Sequence, residues 1–115
     1  MEINKLQKII VKFRDARDWK QFHNSKDLAI SLLLEASEVL EHFQWKSKEE
    51  MDELPNTTEF KDMKEELADV YYYVLLMAHD LNVDLEKEFL KKMKQNEKKY
   101  PIKKAKGKHT KYTKL

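Results

Sequence analysis

The chain has 115 residues, enough for one domain with a modest core, and 38% of them are charged although the net charge is only +2. It contains no Cys, which excludes disulfides, zinc-thiolate sites and thiol nucleophiles. Nothing in it resembles a signal peptide or an apolar run of about 18 residues, so the expectation is a cytoplasmic protein without membrane contact.

One Gly and two Pro leave few tight turns and favour long helices. The first predicted helix runs from about Ile3 to Trp19, with Leu6, Ile9, Ile10, Phe13 and Ala16 recurring every three or four residues. After the polar break His23-Asn24-Ser25, a second spans about Lys26 to Phe43. Ser47-Lys48-Glu49-Glu50 fits a capping box for a short polar helix that Pro55 stops. Asn56-Thr57-Thr58-Glu59 caps a third long helix reaching about Leu81, and Asn82 or Asp84 opens a fourth, Leu85 to about Lys99, ending near Pro101. The remainder, KKAKGKHTKYTKL, lacks a sustained apolar period and reads as extended. No segment shows strand alternation, so the fold class is an all-α helical bundle. The helical domain is expected over residues 1–100, and residues 101–115 form a basic tail, extended or packing on a neighbouring subunit.

Charge is unevenly placed. From Lys91 onward there are 11 Lys and one acid, Glu97, whereas residues 1–90 carry 12 basic side chains against 20 acidic ones. A Lys-rich end of this kind is commonly solvated, and the acidic body disfavours nucleic acid as a partner.

The acids of the second and third long helices are regularly spaced. At about 100° per residue, Leu28, Leu32, Ala36, Val39, Leu40 and Phe43 make an apolar arc with Ser31, Glu35, Glu38 and His42 along one edge. Met63, Leu67, Val70, Val74, Met77 and Leu81 make the corresponding arc on the third helix, edged by Asp62, Glu66, Asp69 and Tyr73. A lone acidic pair at i, i+3 is commonly a solvated border. Two pairs at matching phase on antiparallel helices would instead crowd four carboxylates into one partly buried site, which is costly unless protons or cations neutralise it. Oxygen ligands without Cys or a His pair suit Mg2+ or Mn2+ rather than Zn2+. Glu41, Glu65 and Asp62 lie farther out or lack a partner pair and read as surface groups.

The runs RDWKQFHNSKDLAISLLLEASEVLEHFQWK, EELADVYYYVLLMAHDLNVDL and KKMKQNEKKYPIKKAKGKHTKYTKL resemble the MazG-like, all-α nucleoside triphosphate pyrophosphohydrolases, and within them the dCTP pyrophosphatase branch. The resemblance covers roughly residues 13–113. It implies a four-helix MazG-like bundle assembled as a homo-oligomer, a dimer or tetramer, and Mg2+ ligands at Glu35, Glu38, Glu66 and Asp69, with Mn2+ as a possible substitute. It also implies a base pocket drawn from Phe13, Trp19, Trp45 and Tyr73 with His23 nearby, and phosphate or nucleotide contacts from Lys92 and Asn96. Without it, Trp19 and Trp45 read as packing residues and Lys92 as solvated. The resemblance has one departure: Ile10 stands where a His is expected on the first helix in the animal dCTP-hydrolysing members, so base recognition differs there.

The expected activity is hydrolysis of a nucleoside triphosphate to the monophosphate and pyrophosphate, with Glu38 as a candidate general base. Two other functions fit parts of the sequence: a phosphoribosyl-ATP pyrophosphohydrolase of the same superfamily, and a non-enzymatic helical module whose basic tail engages nucleic acid.

Overall fold

The computed structural model describes residues 2–115, and all regular structure among them is helical. The α-helices are α1 (Glu2–Ala16), α2 (Ser25–Glu41), α3 (Lys48–Glu53), α4 (Glu59–Asp80), α5 (Leu85–Lys99) and α6 (Ile102–Ala105). The chain forms two compact units, one reaching to Asn82 and one running from Val83 to Leu115. None of the helices is long and apolar enough to cross a membrane.

In the first unit the helix ends follow local chemistry. The Asn24 side chain accepts from the Asp27 amide to open α2, and Ser47 with Glu50 forms the full capping box expected for α3. The first helix is shorter than its apolar period suggests. It stops at Ala16 because Asp18 takes a left-handed conformation (φ 54°), with the Trp19 amide donating back to the Arg14 carbonyl and the Asp18 amide to that of Asp15. Trp19 therefore leaves the helix and starts a 3-10 turn over Lys20–Phe22.

Helix α4 is the centre of this unit, packing against α2 and α1 and meeting the turn at Leu54–Asn56. Its Leu75, Leu76 and Ala78 are buried together with Ile10 of α1, Leu28 of α2 and Leu54. Two polar residues interrupt the buried stripe of α1. Gln7 donates to the Leu75 carbonyl at 3.0 Å, and Arg14, only 1% exposed, grips Asp80 with two hydrogen bonds of 2.7 and 3.0 Å. This fork and carboxylate geometry fixes the end of α4 against α1. Burial alone would raise the Asp80 carboxyl, but the Arg14 fork, with His79 adding, outweighs it and holds Asp80 below its ordinary range.

In the second unit Asp84 caps α5 by accepting from the Lys87 amide. The tail is not uniformly extended, as its polarity had suggested. It forms α6 and a 3-10 turn at Tyr112–Lys114, where Tyr112 meets Tyr100 edge to face at 6.0 Å and Lys99 lies 4.7 Å from the Tyr112 ring centre. Aromatic contact thus folds back a segment with too few apolar residues to show a period.

Breaking the Arg14 pair tests this frame. Asp80→Ala leaves the guanidinium buried alone and should cost about 3 kcal/mol, seen as a lower urea midpoint at unchanged slope. Replacing both partners by apolar residues, Arg14→Met with Asp80→Leu, should cost much less. Because the folded carboxyl titrates below its unfolded value, the stabilisation is complete above about pH 4 and is lost as pH falls through the folded value. The Asp80→Ala deficit should shrink with it.

Candidate active site

The side chains of α2 that turn inward are Leu28, Ser31, Leu32, Glu35, Val39 and His42, while Ala36, Leu40 and Phe43 are exposed. The buried face is therefore rotated from the apolar arc read in the sequence and centres near Glu35. On α4 the corresponding face carries Glu59, Met63, Glu66, Val70, Tyr73 and Met77. The leucines of α2 lie on more than one side, Leu33, Leu34 and Leu40 as well as Leu28 and Leu32, so periodicity alone could not choose its face. Glu35 and Glu66 belong to the contact itself, and Glu38 and Asp69 stand at its exposed margin.

The electrostatics mark Glu35 as the strained member. Its Oε2 is buried without a hydrogen-bond partner. Burial raises its carboxyl above the ordinary range, and the neighbouring Glu38 and the charges of Asp69 and Glu66 push the same way. Glu66 is partly neutralised from the other side by the His42 Nε2 contact to its Oε2. Burial would lower the His42 imidazole, but Glu66 and Glu59 together hold it above its ordinary value. Lys46 completes the line at 2.8 Å from Glu59 Oε2, and mainly through its hydrogen bond keeps Glu59 below the usual carboxylate range.

Among the described residues, no three acidic or imidazole groups converge closely enough to make a ready-built metal centre. The donor set nevertheless fits a hard cation. Its oxygens are carboxylate oxygens, one of them is buried and unpartnered, and the mutual repulsion around Glu35 lacks a counter-charge.

Beside these acids lies a cavity of about 450 Å³ lined by Ile9, Ile10, Phe13, Trp19, Glu35, Asp69, Tyr72 and Tyr73. The turn at Asp18 folds Trp19 back onto Phe13, edge to face at 5.6 Å, and the Arg17 guanidinium caps the Phe13 ring at 3.8 Å. Tyr72 and Tyr73 meet in the same manner at 5.0 Å. Of the expected base-site residues, Phe13, Trp19 and Tyr73 come together here. His23 is not in the lining, although its Nδ1 is buried without a partner, and Trp45 projects 92% exposed from the turn after α2. Lys92 and Asn96 lie one turn apart on α5 of the second unit. A larger groove of about 690 Å³ along α1 touches none of the four acids.

The sequence alone does not single out Tyr72 as a lining residue, Arg17 over the Phe13 ring, or the Lys46–Glu59–His42 line behind Glu66. Signals existed for the last two. Arg17 begins the RDW run, and His42 shares the edge of α2 with Glu35 and Glu38.

The MazG-like family matches residues 30–115. The chain is 35% identical over 113 residues to dCTP pyrophosphatase 1 of Rattus norvegicus, covering 96% of this chain and 65% of that protein. It is 35% identical over 111 residues to dCTP pyrophosphatase 1 of Homo sapiens, with the same two shares covered. The chain thus spans just under two thirds of the length of these curated relatives. A crystal structure of a pyrophosphatase from Archaeoglobus fulgidus superposes with a TM-score of 0.81 at 35% identity, covering 88% of this chain and 94% of that one. With its all-helical fold, its paired acid-bearing helices and a family match over most of its length, the chain belongs to the MazG-like family.

Proposed function

We propose that this chain hydrolyses a nucleoside triphosphate, with dCTP or a modified dCTP as the leading substrate, to the monophosphate and pyrophosphate in cytoplasmic nucleotide pool control. The observation that carries the reading is the aromatic cavity that shares Glu35 and Asp69 with the acid cluster. Its volume of about 450 Å³ lies within the range of small-molecule sites. The relatives named dCTP pyrophosphatase 1 support the substrate class.

Phe13, Trp19 and Tyr73 offer flat surfaces for a base, with His23 and Trp45 as further base contacts and Lys92 and Asn96 as phosphate contacts. Mg2+, or Mn2+ in its place, would be held by Glu35, Glu38, Glu66 and Asp69 and would offset the triphosphate charge and acidify a bound water. Glu38 is exposed and adjacent to Glu35. Its carboxylate accepts the proton of the attacking water while the new phosphorus–oxygen bond forms and the bond to the departing pyrophosphate breaks.

The reading includes a homo-oligomer, a dimer or tetramer. Ile30, Leu33, Leu34 and Leu40 of α2 are 47%, 71%, 58% and 66% exposed, an apolar surface that a second copy would cover. Light scattering should show a species larger than 13.9 kDa, and Leu33→Lys with Leu40→Lys should shift it toward the monomer.

Pyrophosphate release from a panel of nucleotides, with Mg2+ and with chelator, tests the chemistry. Glu38→Gln should lower kcat by about 100-fold or more, and Asp69→Asn should abolish metal-dependent turnover. Turnover of phosphoribosyl-ATP alone would redirect the substrate, and salt-sensitive nucleic-acid binding indifferent to both substitutions would replace the enzymatic reading.

Glu35→Gln should separate stability from activity. The folded carboxyl is raised, so its ionised form opposes folding increasingly as pH climbs above its unfolded value of about 4.3. The variant should lose turnover yet melt higher than wild type, with the gain present at pH 7 and fading toward pH 4.

A further inference from the structure

Four side chains, Lys46, Glu59, His42 and Glu66, form a line that ends in the acid cluster, and only the last belongs to the proposed ligand set. Lys46 Nζ lies 2.8 Å from Glu59 Oε2 and 3.3 Å from Glu59 Oε1. His42 Nδ1 is 3.4 Å from Glu59 Oε2, and its Nε2 contacts Glu66 Oε2. The imidazole side chain is 13% exposed, so the ring is largely enclosed and both of its nitrogens face carboxylates of α4.

We infer that His42 is a positioning residue for Glu66, anchored by Glu59 and Lys46, which holds one carboxylate oxygen and leaves Oε1 to serve a cation. The inference rests on the reading of Glu35, Glu38, Glu66 and Asp69 as a cation site. Its basis is the geometry of α2 against α4. A position in that contact needs only an apolar side chain for packing, and the flanking inward residue on α2, Val39, is apolar. A ring placed between two acids adds nothing that packing requires. What it does add is an orientation, because a carboxylate tethered through one oxygen loses the rotational freedom that a ligand set must otherwise remove on binding. Glu59 and Lys46 do for the ring what the ring does for Glu66. Lys46 is only 20% exposed at its side chain, so its contact to Glu59 is partly shielded from solvent.

Mn2+ binding to the full chain without nucleotide, followed by electron paramagnetic resonance, separates positioning from packing. His42→Leu keeps the volume and removes the donor. It should fold, melting lower than wild type because Glu66 and Glu59 lose their shared partner, and bind Mn2+ about 10- to 100-fold more weakly. His42→Gln retains an N–H donor and should recover most of the affinity, and Glu59→Gln should weaken binding by a smaller factor in the same direction. Wild-type affinity in His42→Leu overturns the inference, as does Mn2+ binding in His42→Gln as weak as in His42→Leu. If His42→Leu does not fold, Glu59→Gln decides: weaker Mn2+ binding in that variant supports the anchored ring, and wild-type affinity overturns it. Failure of the wild type itself to bind Mn2+ removes the cation site and the inference with it. That result differs from the others because it appears before any substitution is made.

Discussion

The contact between α2 and α4 organises the first unit, and it buries carboxylates where aliphatic packing would be simpler. Glu35 and Glu66 lie on the same inward faces as Leu28, Leu32 and Val39 of α2 and Val70 and Met77 of α4. The apolar neighbours bring the helices together, and the acids resist. Glu35 carries the larger share of the conflict because its Oε2 has no partner, while Glu66 is relieved by His42. Helix α4 can bear this because its far end is fixed independently, through Arg14 at Asp80 and Gln7 at the Leu75 carbonyl. One helix thus carries an electrostatic liability in its first half and its strongest fastening in the second.

Much of this was legible in the residues. The acidic pairs stood at matching phase, the capping box at Ser47 and Glu50 formed as read, and Asp84 opened α5. The face of α2 was not legible, because Leu33, Leu34 and Leu40 are as apolar as the residues that point inward and a surface left open for a partner looks like core in a single sequence. Arg14 was missed for the opposite reason. It occupies the inward stripe of α1 one turn after Ile10, and a charged residue there reads as a break in the pattern until Asp80, 66 positions away, is brought to it. Trp19 was assigned to the first helix because its spacing fits; only the left-handed Asp18 reveals the turn that returns it to Phe13.

The cavity also gives physical content to the departure at Ile10. This side chain is 8% exposed and lines the wall beside Phe13 and Trp19. It offers a bound group contact area and no hydrogen bond. Under the proposed reading, discrimination between bases would come from other polar atoms near the site, and a wall that is apolar at this point would tolerate substituents on a base better than one that demands a specific donor.

The left-handed residues have a consequence for how far this chain can be stabilised. Asp18, Trp45 and Asn82 have φ of 54°, 67° and 54° and follow the ends of α1, α2 and α4, whereas the single glycine, Gly107, sits in the tail. The penalty is slight for Asn and Asp, which tolerate the conformation, and largest for the bulky Trp45. Glycine at Asn82 would be a modest improvement at little functional risk. Glycine at Trp45 would release more strain, but it would delete the aromatic group that the strained turn presents to solvent. The easiest thermodynamic gain in this fold is thus tied to a side chain its chemistry is expected to use, and selection for function would hold that reserve of stability out of reach.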